Sequence, residues 1–253
     1  MPLFGTLDLD TALAAAPTID SLRPETWSLP GSEILQVSFE VAEAPALAVT
    51  PPGLHPSIPP YATFTFHRAP ESPAGPFTLA MVRLIVRAGI RPRGLLMKAF
   101  VDSEAAADAL GRGWGYDVSM AEVALSRRHN EIRGAVSVDG ELALEAVLEE
   151  PEPIAGADIE LFDNLHLVNL AEGGQDGEPL LVQVDPGYQY HEADRGAVRL
   201  GTFRPTALGV DGIEPVYAVV GVTCRADMEL NAPRFVIDPR VPAVQGTRRL
   251  QAR

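Results

Sequence analysis

Cysteine is nearly missing: Cys224 is the only one in 253 residues. An intrachain disulfide and a thiolate metal cluster are therefore both excluded. Lysine is as scarce, with Lys98 alone and arginine supplying the remaining positive charge. No apolar run approaches the roughly 20 residues of a membrane-spanning helix. The opening MPLFGTLDLD carries acids and no basic stretch, so no signal peptide is expected. The five histidines (His55, His67, His129, His166 and His191) show neither H-x-H nor H-E-x-x-H spacing, so no metal is expected. Positive charge is outnumbered, and the formal net charge is -14. Such a surface repels phosphate backbones and anionic membranes, which argues against nucleic-acid and membrane partners. These absences together point to a cytoplasmic protein with no cofactor.

What is present is apolar residues, at 46% of the chain, enough for a sizeable core. The length suits one large β domain. TLDLDTALAAAP near the start predicts a short helix, inside a proline-broken lead-in covering residues 1–30. EILQVSFEV (33–41), YATFTFHRA (61–69), FTLAMVRLIVRAG (77–89) and GLLMKAFV (94–101) read as strands. In the third of these, Arg83 and Arg87 lie four apart, a helical spacing, but the flanking Gly75, Pro76 and Gly89 favour a strand. DSEAAADALGRG (102–113) predicts a helix capped by Asp102 or Ser103 and stopped by Gly111 and Gly113. Residues 118–150 read as two or three strands, with turns at Asn130 and at Asp139-Gly140. The acid cluster Glu149-Glu150-Pro151-Glu152 reads as a solvated linker, after which the β pattern continues to about residue 240, leaving 241–253 as a tail. The fold class expected is α+β, mainly β: a closed or nearly closed antiparallel structure with one short embedded helix. Such folds hold small ligands in the interior or the mouth.

Three stretches, in order, carry a resemblance: ALAVTPPGLHPS (46–57), LLMKAFVDSEAAADALGRGWGY (95–116) and GIEPVYAVVGVTCRADMELNAPRFVIDP (212–239). Together they resemble the acetoacetate decarboxylase family. The resemblance implies a β domain over residues 31–240, an internal pocket and a Schiff-base mechanism, in which a lysine amine condenses with the ketone of a β-keto acid. The family's Tyr-Pro-Lys-Lys motif falls here on Tyr116, Asp117, Val118 and Ser119. Neither Val118 nor Ser119 can form an imine. The places of the family's pocket acids and arginine read Tyr61 or Ala62, Thr78 or Leu79, and Glu40 or Val41. Acetoacetate decarboxylation is therefore not expected. The expected activity is acid–base chemistry on a small keto acid or polyketide-like carbonyl compound: decarboxylation, dehydration, aldol-type bond change or cyclisation. The rivals are a binding or carrier protein on the same fold and a structural subunit; a homo-oligomer is expected.

Candidate residues follow. Lys98 sits in Leu95-Leu96-Met97-Lys98-Ala99-Phe100. It is either a solvent-facing lysine or, sharing a face with Leu96 and Phe100 by strict alternation, a cavity amine. Asp117 is a loop acid or a general base. Arg112 either bonds helix-end carbonyls or grips a substrate carboxylate. Trp114 and Tyr116 are expected to border the ligand space, with Ser119 and Tyr61 as further substrate contacts.

Overall fold

The computed structural model describes residues 3–89, 91–171 and 178–250. In chain order, the first elements are α1 (Leu9–Ala15), β1 (Thr18–Ile19), β2 (Trp27–Val41), α2 (Glu43–Ala48), β3 (His55–Pro56), β4 (Tyr61–Ala69), β5 (Phe77–Arg87) and β6 (Pro92–Val101). Next come α3 (Glu104–Trp114), β7 (Val118–Met120), β8 (Glu122–Arg128), β9 (Glu131–Val138) and β10 (Glu141–Pro153). The remainder is β11 (Asn164–Leu170), β12 (Glu178–Val184), β13 (Gly187–Phe203), α4 (Pro205–Leu208), β14 (Pro215–Leu230), β15 (Phe235–Ile237), α5 (Ala243–Gly246) and β16 (Thr247–Arg249).

One large sheet runs β16-β15-β12-β11-β6-β5-β4-β2-β14-β13-β10-β9-β8. Most pairs are antiparallel, but β11 and β7 both run parallel to β6, and β1 runs parallel to β11. The sheet is mainly β as expected, but mixed, and its ends are not joined by hydrogen bonds among the described residues. Successive side chains alternate between its faces. One face buries Leu35, Phe64, Phe66, Val82 and Phe100 against Val123, Ile132 and Leu148 of β8–β10. Gly134 makes that approach possible, since a Cβ there would meet the Phe66 ring at 2.2 Å. The other face buries Leu79, Met81, Ala99 and Val101 with Leu110 and Trp114 of α3.

Three local readings are corrected. The α3 helix runs through Gly111 and Gly113 and stops at Gly115, which takes the left-handed conformation (φ 73). Tyr116 N–H then bonds Leu110 O (3.3 Å) and Gly115 N–H bonds Gly111 O (3.0 Å), satisfying the last carbonyls of the helix. The acid cluster is not a linker but the end of β10. Its irregular residues sit in a bulge where Glu150 adopts φ 51, and Arg199 anchors Glu149 at 2.8 Å. Residues 118–150 hold four strands, not two or three. Beyond residue 240 the chain continues in α5 and β16.

Candidate functional site

Three side-chain rows cross β2, β4 and β5 on the α3-facing side of the sheet. Ser38, Thr63 and Arg83 form the first, Gln36, Thr65 and Met81 the second, and Ile34, His67 and Leu79 the third. The middle of this face is polar and buried. Arg83 is its centre, 2% exposed between the apolar runs Leu79–Val82 and Leu84–Val86. Its Nη1 donates to Phe162 O (2.7 Å) and Asn164 Oδ1 (2.6 Å), and its Nη2 donates to Gln36 Oε1 (2.7 Å) and Thr65 Oγ1 (2.6 Å). Nε has no partner. All four acceptors are neutral, and among the described residues Asp163 is the only acid that acts on the guanidinium, at a distance. Burial pushes the guanidinium down to about 10, so it is charged at neutral pH. Gly94 gives it room, because a Cβ there would meet Arg83 Cδ at 2.9 Å.

The α3 terminus aims Tyr116 into the same space. Tyr116 is 3% exposed and bonds Asn164, and burial pushes its phenol up to about 12. Tyr188 of β13 stands nearby, its phenol raised by burial, with the Arg83 charge opposing. His67 Nε2 lies 2.8 Å from Ser32 Oγ, which itself donates to Leu29 O at 2.9 Å. Nε2 is therefore the protonated nitrogen, and Nδ1 is left as the basic one. Burial pushes His67 down to about 4 and keeps it neutral. His166 donates from Nδ1 to Trp114 O (2.7 Å), stands edge-on to Tyr116 (4.4 Å) and leaves Nε2 unpartnered.

The central cavity is lined by Arg83, Gln36, Thr65, His67, Tyr116, Asn164 and Tyr188, with Leu79, Met81, Phe162 and Met228 as apolar walls. Its volume is only ≈ 20 Å³, room for about one water molecule. Gln36 and Phe162 are shared with a wider chamber of ≈ 250 Å³ that opens outward past Tyr61, Val219, Val220 and Val222 to Arg195, Asp158 and Glu160. The loop bearing Phe162 is held by Gly94 N–H on Asp163 O (2.8 Å) and by Arg93, which bonds Asp163 (3.0 Å) and Asp185 (2.8 Å).

Of the seven candidates read from sequence, Tyr116 lines the central cavity and Tyr61 the outer chamber. Lys98 and Asp117 are brought together at 2.6 Å, but elsewhere. The face assignment of Lys98 is corrected: β6 carries a bulge at Met97, so Lys98 pairs with Val82 while Leu96 pairs with Arg83. Lys98 therefore faces away from the guanidinium, and Asp117 lines an apolar surface groove under α1. Arg112 is exposed and grips Asp20 of its own chain at 2.8 Å. Trp114 is core, with Nε1 on Asn231 O (2.9 Å) and its ring edge-on to Trp27 (5.2 Å). Val118 and Ser119 pair with Ala99 and Phe100 and do not line the cavity. The expected acid positions place only Leu79 there. The residues that sequence reading missed are Arg83, Gln36, Thr65, His67, Asn164 and Tyr188. For Arg83 a signal existed: a lone charge in the middle of a run of buried apolar residues.

The sequence profile described as acetoacetate decarboxylase (ADC) matches residues 11–239. No curated protein sequence matches. Among solved structures, acetoacetate decarboxylase from Legionella pneumophila subsp. pneumophila str. Philadelphia 1 superposes with a TM-score of 0.74 at 16% identity, covering 83% of this chain and 86% of that one. The enduracididine biosynthesis enzyme MppR, complexed with the condensation product of pyruvate and imidazole 4-carboxaldehyde, gives 0.64 at 19% identity, covering 83% and 89%. An acetoacetate decarboxylase-like enzyme from Sphingomonas wittichii RW1 gives 0.64 at 16% identity, covering 84% and 92%.

Proposed function

The chain belongs to the acetoacetate decarboxylase family, and from that premise we propose that it is an enzyme binding a small 2-oxo acid through Arg83 and enolising it without an imine. The observation that carries this reading is a fully buried guanidinium whose hydrogen-bond partners are all neutral, with Asp163 acting only at a distance. Burying an ion without a counter-ion costs on the order of several kcal/mol, which a ligand carboxylate would offset. The fork geometry of arginine fits a carboxylate better than any other small anion except phosphate.

The carboxylate position also sorts the chemistries. Decarboxylation is helped when the leaving carboxylate sits in apolar surroundings and hindered when the ground state holds it tightly. A carboxylate on Arg83 is retained, which favours aldol-type addition, dehydration or cyclisation over loss of carbon dioxide. Tyr116, with its raised phenol still protonated, would donate to the carbonyl oxygen as charge develops there. His67, held neutral with a basic Nδ1, would accept the proton from the adjacent carbon. The family relative MppR, solved with a pyruvate condensation product, supports a 2-oxo acid as the ligand class.

Calorimetric titration with pyruvate tests the reading. Wild type should bind, and Arg83→Met should weaken binding about a hundredfold, the loss of roughly 2.7 kcal/mol. Equal affinity in both would overturn it. Carbon dioxide release from acetoacetate should stay at the spontaneous rate in either protein. A carrier rather than an enzyme would bind pyruvate through Arg83 and leave its C3 protons unexchanged.

A further inference from the structure

The space beside Arg83 is too small for any 2-oxo acid while its wall stands, and the composition of that wall says where the rest of a ligand goes. Gln36 Oε1 accepts from Arg83 Nη2 (2.7 Å) and from Phe162 N–H (3.4 Å), while Phe162 O accepts from Arg83 Nη1 (2.7 Å). These same two residues form the floor of the outer chamber. The guanidinium therefore lies one side-chain layer behind a ≈ 250 Å³ space, and Gln36 presents an amide oxygen where a carboxylate oxygen would bind. A carboxylate arriving from outside would replace a neutral acceptor, and Gln36 would give up its Nε2 bond to Glu160 O (2.9 Å) as it withdrew. The substituent of the acid stays behind in the chamber.

That chamber has its own character. It opens where β13, paired with β14 only as far as Gly196 and Gly221, has turned away to run along β10. Its walls are Tyr61, Phe162, Val219, Val220 and Val222 with Ser38 as the one small polar member, and Tyr61 and Phe162 stand edge-on at 5.7 Å. Charges sit only at the rim: Arg195, Asp158 and Glu160. Apolar walls with an aromatic pair discriminate by size and by ring contact rather than by charge.

We propose that the outer chamber is the specificity pocket of the Arg83 site, and that the preferred ligands are 2-oxo acids bearing an aromatic or bulky apolar side group rather than pyruvate itself. This rests on the Arg83 reading above. In such a complex Gln36 is a positioning residue that yields Arg83 to the ligand, and Tyr61 and Val220 select its side group.

The test uses calorimetry on the full chain with pyruvate and phenylpyruvate. Wild type should bind phenylpyruvate about tenfold or more tighter than pyruvate. Val220→Trp, which fills the chamber, should reverse that preference; Tyr61→Ala, which removes a wall without adding bulk, should shrink it about fivefold. Circular dichroism would show whether Val220→Trp folds, and Tyr61→Ala carries the test if it does not. Pyruvate preferred by wild type, or a preference unchanged in both variants, would overturn the chamber assignment. Loss of both acids in Arg83→Met with phenylpyruvate selectivity insensitive to the chamber variants would leave the Arg83 reading standing and sink this one. Unchanged binding of both acids in Arg83→Met would sink both.

Discussion

At the scale of the residue, two cations divide the chain's character between them. Arg83 is a buried charge with no acid in contact; Lys98, its side chain 22% exposed, is paired with the more exposed Asp117. Pairs as exposed as the second contribute about 0–1 kcal/mol, so Lys98→Met should move the urea midpoint little. Borohydride treatment in the presence of pyruvate should leave the intact mass of the protein unchanged; an adduct on Lys98 would restore an imine mechanism. The sequence made Lys98 conspicuous because it is the only lysine, and strict alternation turned it inward. A single extra residue, Met97 in a bulge, takes Lys98 off the face of Leu96 and Arg83 while leaving it on that of Phe100, and no property of Leu95-Leu96-Met97-Lys98 announces that. Arg83 was legible as an anomaly, a charge among Met81, Val82, Leu84 and Ile85, but its partners come from three other parts of the chain. Gln36, Thr65 and Asn164 are ordinary polar residues until the strand rows align them.

At the scale of the element, the end of α3 sets the site. Gly115 must be left-handed for Tyr116 to turn inward, and a Cβ there would meet Val168 Cγ1 at 2.2 Å. Gly115→Ala should therefore cost roughly 2 kcal/mol or more and weaken 2-oxo acid binding beyond what Tyr116→Phe does. Thermal unfolding and calorimetry on both variants check this; a Gly115→Ala protein of wild-type stability would contradict it. Most elements were readable from periodicity: β4 spans Tyr61–Ala69, as its alternation predicts, and β5 covers Phe77–Arg87. The stop of α3 was misplaced because Gly111 and Gly113 look like terminators. Inside a packed helix they are tolerated, and the positive φ falls at the third glycine.

At the scale of the molecule, the fold family was legible in three motifs in order, while the site was not, because its members are distributed over five strands and a loop. One global consequence concerns pH. His67 and His166 are both buried and held down to about 4, against 6.5 in an open chain. Between those values the unfolded chain binds protons that the folded one refuses. Their contribution is thus fully present above pH 6.5 and is lost as pH drops toward 4, a loss approaching about 3 kcal/mol for each histidine. Urea midpoints followed from neutral pH to about pH 5 should decline, and His166→Asn should flatten the decline. A flat wild-type profile would contradict the neutral burial of these rings. The account as a whole stands on a carboxylate held by Arg83 while the neighbouring carbon gives up a proton. Proton NMR of pyruvate in deuterium oxide measures that directly. The C3 protons should exchange at least about tenfold faster with wild type than without protein, remain so with Lys98→Met, and fall to the spontaneous rate with Arg83→Met. Exchange that survives Arg83→Met, or that Lys98→Met abolishes, would contradict it.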